Sequence, residues 1–256
     1  MREFYTQVED GRLVKIEVEL EAEENIMDMA IYPWLYTVFI KLKSPLENGL
    51  ADEDEEDFLL ECKDRLALKL EEKEKAVYVG LKITDGWFEI YFYLEDPKGV
   101  ENKTKDLMGA FGYKYESNSV KDKKWNLYEV NLYPSAKQAH HIQSKHIIQE
   151  IEEEGDDLTK PREVEHYILF QTASLREKFE EVLEDKTLTI EGDFAFTCKG
   201  DFERDEEEYT YGVALGIVQT LEQEQINQIT DILMDLCKEH HGHYEGWSTS
   251  LADEQH

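Results

Sequence analysis

Apolar positions along this chain recur with two periods, near two and near 3.6, and the changes between them mark the elements. "EFYTQV" and "LVKIEVEL" flank Asp10-Gly11, a two-residue turn signal, so the chain opens on a β-hairpin. In its second strand Leu13, Val14, Ile16, Val18 and Leu20 keep close to the strand period. Six elements follow. "WLYTVFIKL" reads as a strand. "DEDEEDFLLECKDRLALKLEEKEK" reads as a helix, with Leu59, Cys62, Leu66 and Leu70 three or four apart, acids in its first turns and lysines in its last, as the helix dipole favours. "AVYVGLKI" and "WFEIYFYL" form a hairpin about Asp85-Gly86, "KGVENKTKDLMGAFG" is a helix stopped by Gly112, and "KWNLYEVNLY" is the closing strand.

"SAKQAHHIQSKHIIQEIEEEG" then predicts a linking helix with Ile142, Ile147 and Ile151 on one side, broken by "DDLTKP" because Pro161 disfavours helix at Lys160. The same order returns. "REVEHYILF" is a strand, and "SLREKFEEVLED" a helix capped by Ser174 and Glu177 with Leu175, Phe179, Val182 and Leu183 inward. "LTIEGDFAFTCKGDF" and "EEYTYGVALGIVQT" are two interrupted strands. A long helix capped by Thr220 and Gln223 follows, with Ile226, Ile229, Leu233 and Leu236 at helical spacing and Gly242 at its end, and "HYEGWSTSL" is the last strand. Strand-helix-strand-strand-helix-strand is the split βαβ pattern. Met twice, it predicts an α+β protein of two ferredoxin-like (βαββαβ) α/β sandwich domains with antiparallel sheets, plus the N-terminal hairpin and the linking helix. The boundary is expected between Pro134 and Gly155, giving halves 1–134 and 135–256.

Charge narrows the partners. The chain has 59 Asp+Glu against 28 Lys+Arg, net -31, while 41% hydrophobic residues suffice for ordinary cores. Both halves are acidic, 18 basic against 30 acidic residues in 1–134 and 10 against 29 in 135–256. Such a field repels phosphate backbones and anionic membranes and attracts basic proteins, so direct nucleic-acid binding is not expected. Tyr91 and Tyr93 alternate with apolar residues as in single-stranded RNA platforms, but without positive charge they read as surface or interface packing. The longest apolar stretch, "MAIYPWLYTVFI", is too short to span a bilayer, and the first residues hold no apolar signal core. Cys62, Cys198 and Cys237 are odd in number and far apart, which points away from a disulfide framework and toward the cytoplasm.

Candidate chemistry is sparse. His140, His141 and His146, and again His240, His241 and His243, cluster without ligand spacing: His141 and His146 fall on different helix faces, and cations suit the helix end near His240. No metal and no cofactor is expected. "GWSTS" has Ser250 where a nucleophile elbow needs its second glycine, and the chain has neither a phosphate-binding loop nor a dinucleotide fingerprint. No catalytic residue is singled out. In "GHYEGWSTS" the aromatic and hydroxyl residues suit a final strand, with Trp247 either buried in the sheet or exposed as an anchor.

Two stretches, "GDDLTKPREVEHYILF" and "GHYEGWSTSL", resemble the regulator of ribonuclease E activity B family: an entry into a first strand and a closing Gly-x-Tyr-acid-Gly-Trp strand. The resemblance covers about residues 140–253. The first half resembles an uncharacterised bacterial domain family that often precedes this one. The resemblance implies a non-catalytic inhibitor that binds an RNA-degrading endonuclease, in keeping with a basic protein partner. Two features depart from that pattern: the strongly acidic tail of enterobacterial members is replaced by "ADEQH", and the first half is extra. The sheet order 4-1-3-2 usual for ferredoxin-like units would make the two motif strands neighbours. The expected partner-binding residues are therefore Asp156, Asp157, Glu163, Glu165, Tyr244 and Trp247. Two other classes remain open, an enzyme using a cleft between the domains and a small-molecule sensor.

Overall fold

The computed structural model describes all residues except 25, 27, 73, 74, 184–186, 191–193, 205–207 and 253–256. The tail "ADEQH" lies almost wholly outside the described residues. The chain divides into two compact units, Met1–Pro134 and Ser135–His256.

Unit 1 begins with the hairpin β1 (Arg2–Glu9) and β2 (Arg12–Glu19), turned by Asp10 and Gly11, both at positive φ. Then come β3 (Trp34–Lys41), α1 (Glu53–Leu70), β4 (Ala76–Thr84), β5 (Trp87–Leu94), α2 (Val100–Phe111) and β6 (Tyr115–Lys121). The sheet order is β1-β2-β4-β5-β3-β6, every pair antiparallel. With the hairpin set aside, this is the ferredoxin-like order 4-1-3-2. Asp52 caps α1 by accepting from the Glu55 amide at 2.8 Å. Leu59, Leu66 and Leu70 of α1 and Met108 of α2 pack on Tyr36, Val38, Ile40, Leu81, Ile83 and Ile90 of the sheet.

The expected closing strand is not where the aromatic content put it. β6 is the polar "YESNSVK", an edge strand without an apolar face, whereas Leu127–Leu132 winds into a π-type turn. Trp125, Tyr128 and Leu132 are three and four apart and all buried, a helical spacing that burial rewards over strand propensity. They cover the sheet face opposite the helices. Trp125 stacks on Tyr93 at 4.1 Å with planes 5° apart, and the Tyr5 hydroxyl donates to the Leu132 carbonyl at 2.9 Å. Tyr91 and Tyr93 are thus core residues rather than surface packing. Here β4 bulges at Val79, and at the next residue, Gly80, a Cβ would stand 2.4 Å from the Glu17 carbonyl oxygen.

Unit 2 runs α3 (Ala136–Glu153), β7 (Arg162–Phe170), α4 (Ala173–Glu180), β8 (Thr187–Ile190), β9 (Phe194–Glu203), β10 (Tyr211–Gln219), α5 (Gln223–Glu239) and β11 (His243–Thr249). Its sheet, β11-β7-β10-β9-β8, is again 4-1-3-2 with one added edge strand, and every pair is antiparallel. Ser135 and Gln138 form a reciprocal capping box on α3. Ile226, Ile229 and Leu233 of α5 meet Val164, Ile168, Val213 and Leu215 in one core. Three local expectations are corrected. Thr172, not Ser174, caps α4, accepting from the Leu175 amide at 3.3 Å; α4 ends at Glu180, leaving Val182 outside it and exposed. Glu222 precedes α5 without a side-chain cap, because the Thr220 hydroxyl is bonded to the Gln225 side chain at 3.0 Å. "LTIEGDFAFTCKGDF" forms two strands, β8 and β9, and residues 191–193 between them lie outside the described residues.

Candidate functional site

The two motif strands are neighbours, with β11 pairing β7. Along β7, Arg162, Val164, His166, Ile168 and Phe170 point into the core, while Glu163, Glu165 and Tyr167 point outward and are partly exposed. On β11 a bulge leaves Glu245 between Tyr244, opposite Ile168, and Gly246, opposite Tyr167. The extra residue shifts the alternation, so Tyr244 and Trp247 both face inward.

The inner side is a buried polar network. The Trp247 Nε1 donates to the Ser144 hydroxyl on α3 at 2.9 Å. The Tyr244 hydroxyl lies 2.8 Å from His166 Nδ1 and 3.5 Å from the Thr230 hydroxyl on α5. Burial holds His166 neutral, its pKa lowered to about 3, and its Nε2 has no hydrogen-bond partner among the described residues. Burial also pushes the Tyr244 phenol up. Asp156 is inward too: it grips Arg162 in a bidentate pair, Nη2 to Oδ1 at 2.9 Å, and accepts from the Ala252 amide at 2.9 Å. Arg162 lowers the Asp156 pKa, chiefly through these hydrogen bonds.

The outer side carries the rest. Glu165 and Ser248 are cross-strand partners joined through the Tyr167 hydroxyl, 3.1 Å from Glu165 Oε2 and 2.8 Å from Ser248 Oγ. Glu163 pairs with Lys199, and Val218 beside it is 69% exposed. The Tyr167 ring meets Phe202 edge-on at 5.9 Å. Asp157, exposed in the loop before β7, bonds the Thr159 hydroxyl at 2.7 Å and amide at 3.1 Å, which lowers its pKa. Of the six expected contact residues, three are therefore open to a partner and three are built into the unit. Trp247 takes the buried alternative. Sequence reasoning missed His166 and Tyr167. The alternation of "REVEHYILF" could have found both, since His166 keeps phase with Val164 and Ile168, and Tyr167 with Glu163 and Glu165.

The histidines disperse. His141 Nε2 lies 2.9 Å from Asp231, His240 packs edge-on to Phe179, and His243 lies beside Tyr209. Among the described residues no three His, Cys, Asp or Glu side chains converge as metal ligands. Burial pushes the Cys62 and Cys237 thiols up, to about 11 and about 12, so neither is a thiolate at neutral pH. No helix among the described residues is long and apolar enough to cross a membrane.

Residues 3–133 match the model of DUF695, a family of unknown function. The chain belongs to the DUF695 family. Following the DUF695 segment, residues 141–249 match the model described as regulator of ribonuclease activity B, so both resemblances drawn from the sequence are met. A comparison with curated proteins returns no match. Among solved structures, an unknown protein from Galdieria sulphuraria aligns over 85% of this DUF695 chain and 98% of its own, at 10% identity and a TM-score of 0.20.

Proposed function

We propose that this protein is a non-catalytic regulator that binds a basic protein, an RNA-degrading endonuclease, and inhibits or modulates it. The observation that carries this reading is the match of residues 141–249 to a family described as a regulator of ribonuclease activity. The charge of -31 supports a basic partner. The outer face of the unit 2 sheet supports a place for it: Glu163 and Glu165 stand in one row with Tyr167 and Ser248 between strands, and Asp157 is exposed at the entrance to β7. The contact is electrostatic at its rim, with Tyr167 as the aromatic element in place of the buried Trp247.

The test captures the partner from a lysate on the full chain and measures affinity at rising salt. Asp157→Asn/Glu163→Gln/Glu165→Gln is the variant to compare, since it leaves the Asp156–Arg162 pair intact. Affinity should fall with salt, start about tenfold lower in the variant and depend less on salt there. RNA cleavage by the partner should slow when the chain is added. Affinity indifferent to both salt and substitution sinks the electrostatic part, and RNA turnover by the pure chain sinks the non-catalytic reading.

A further inference from the structure

In unit 2 a cavity of about 460 Å³ opens beside α3, α5 and the start of β11. This is the size of sites that take small molecules. Tyr244 and Cys237, both buried, line its depth; Met234 and the half-buried His140 form its sides, and Lys238 and His243 are exposed at its rim. The His140 ring meets Tyr244 edge-on, centroids 5.1 Å apart. Most of the lining surface is apolar, with polar and charged side chains set among it, a mixture that suits a ligand with an apolar body and one polar end.

Its charge is opposite to that of the chain. The one carboxylate in the lining, Asp235, is already paired with Lys137 at 2.8 Å. Among the described residues Lys238 makes no ion pair, although the half it belongs to has 29 acidic and only 10 basic residues. His140 is held below its ordinary pKa, first by burial and then by His243 and His141. At neutral pH the site therefore presents one uncompensated ammonium over an apolar floor, with the uncharged imidazole of His140 beside it. A single charge suits a monoanion. A polyphosphate would need several unpaired cations and would meet the full repulsion of the chain's field.

We propose that this cavity binds a small organic carboxylate, its anionic end at Lys238 between His140 and His243 and its apolar body against Met234 and the Tyr244 ring. Such a site would give the regulator a small-molecule effector, and it stands or falls independently of the protein partner. Binding is coupled to protons. An anion beside His140 opposes the burial and the repulsion that hold its pKa down and favours its protonation, so affinity rises as pH falls toward 6. The other charged groups facing His140 are Lys137 and His141 from α3, Asp235 and Lys238 from α5, and Glu245 from β11. Asp235, His141 and Glu245 are each engaged, with Lys137, Asp231 and Arg204. His140 is left as the group that responds.

Titration of the full chain with benzoate, followed by calorimetry and by histidine ring resonances, tests this. The expected result is saturable one-site binding that tightens severalfold between about pH 7.5 and about pH 6. Benzamide and inorganic phosphate should each bind about tenfold more weakly or worse. Lys238→Gln should weaken benzoate about tenfold, His140→Gln should flatten the pH dependence, and Lys178→Gln on α4 should change nothing. Lys238 and Lys178 are exposed and His140 half-buried, so all three substitutions are tolerable, and an unchanged melting temperature verifies the fold. The proposal is overturned by absence of saturation, by benzamide or phosphate matching benzoate, or by a Lys238→Gln variant that binds as the wild type does.

Discussion

Asp156→Asn should destabilise unit 2 far more than its loop position suggests. Arg162 is 1% exposed and spends its guanidinium on Asp156, the Asp157 carbonyl and the Lys160 carbonyl, while Asp156 also holds the Ala252 amide after β11. The substitution leaves a buried guanidinium without its counter-charge, a loss of about 3 kcal/mol at the lower end for broken buried pairs. For a unit of this size that corresponds to a melting temperature roughly 10 °C lower, readable by calorimetry of the full chain. The pH dependence has a defined sign. The folded-state pKa of Asp156 is lowered, so the pair's contribution is present above the ordinary aspartate value of about 3.9 and is lost as pH falls through the folded value. The gap between wild type and variant should thus be full at neutral pH and close in acid. Asp156→Leu/Arg162→Met removes both charges and should recover most of the loss. A single variant melting within a few degrees of wild type at neutral pH, or a double variant no better than the single, would refute this reasoning.

Other outcomes follow from the same structure. Residues 135–256 expressed alone should unfold cooperatively, since α3 and the second sheet share one core; a fragment with no transition where the full chain has one would reject a second independent domain. Because the folded-state pKa of His166 is depressed to about 3, the unfolded chain takes up its proton first, and stability should fall as pH drops below about 6.5 by roughly 1.4 kcal/mol per pH unit from this residue. His166→Phe should remove one proton's worth of that slope in urea titrations, and an unchanged slope would show His166 to be exposed to water.

Elements with a strong period were legible. The Asp10-Gly11 and Asp85-Gly86 turns, the α1 stripe of Leu59, Cys62, Leu66 and Leu70, and "REVEHYILF" all stand where apolar phase and turn chemistry agree. β6 was not legible, because an edge strand such as "YESNSVK" buries too little to need an apolar face. The segment from Trp125 to Leu132 misled because its residue types favour strands while its spacing favours a helical turn, and long-range packing on Tyr93 decided between them. Strand alternation places Tyr244 and Trp247 on opposite faces, since they are an odd number of residues apart. Only the bulge at Glu245 brings them together, and no local signal announces a bulge. Glu163, Glu165 and Asp157 were legible as exposed acids, whereas the inward turn of Asp156 depends on Arg162 and Ala252, which the sequence does not bring together.

The pairing of β11 with β7 also sets the order in which the molecule can be completed. A ribosome releases the amino-terminal unit first, and every strand of its sheet is then available. β7 emerges early in the second unit, yet its partner on one side, β11, comes last among the unit's described strands, and Ser144 waits 103 residues for the Trp247 indole. Until then β7 has an open edge and an unfilled floor beneath it. A nascent or truncated chain lacking β11 would therefore expose a sticky β-edge, and synthesis stalled before β11 should yield chains whose first unit is native and whose second unit is prey for chaperones and proteases.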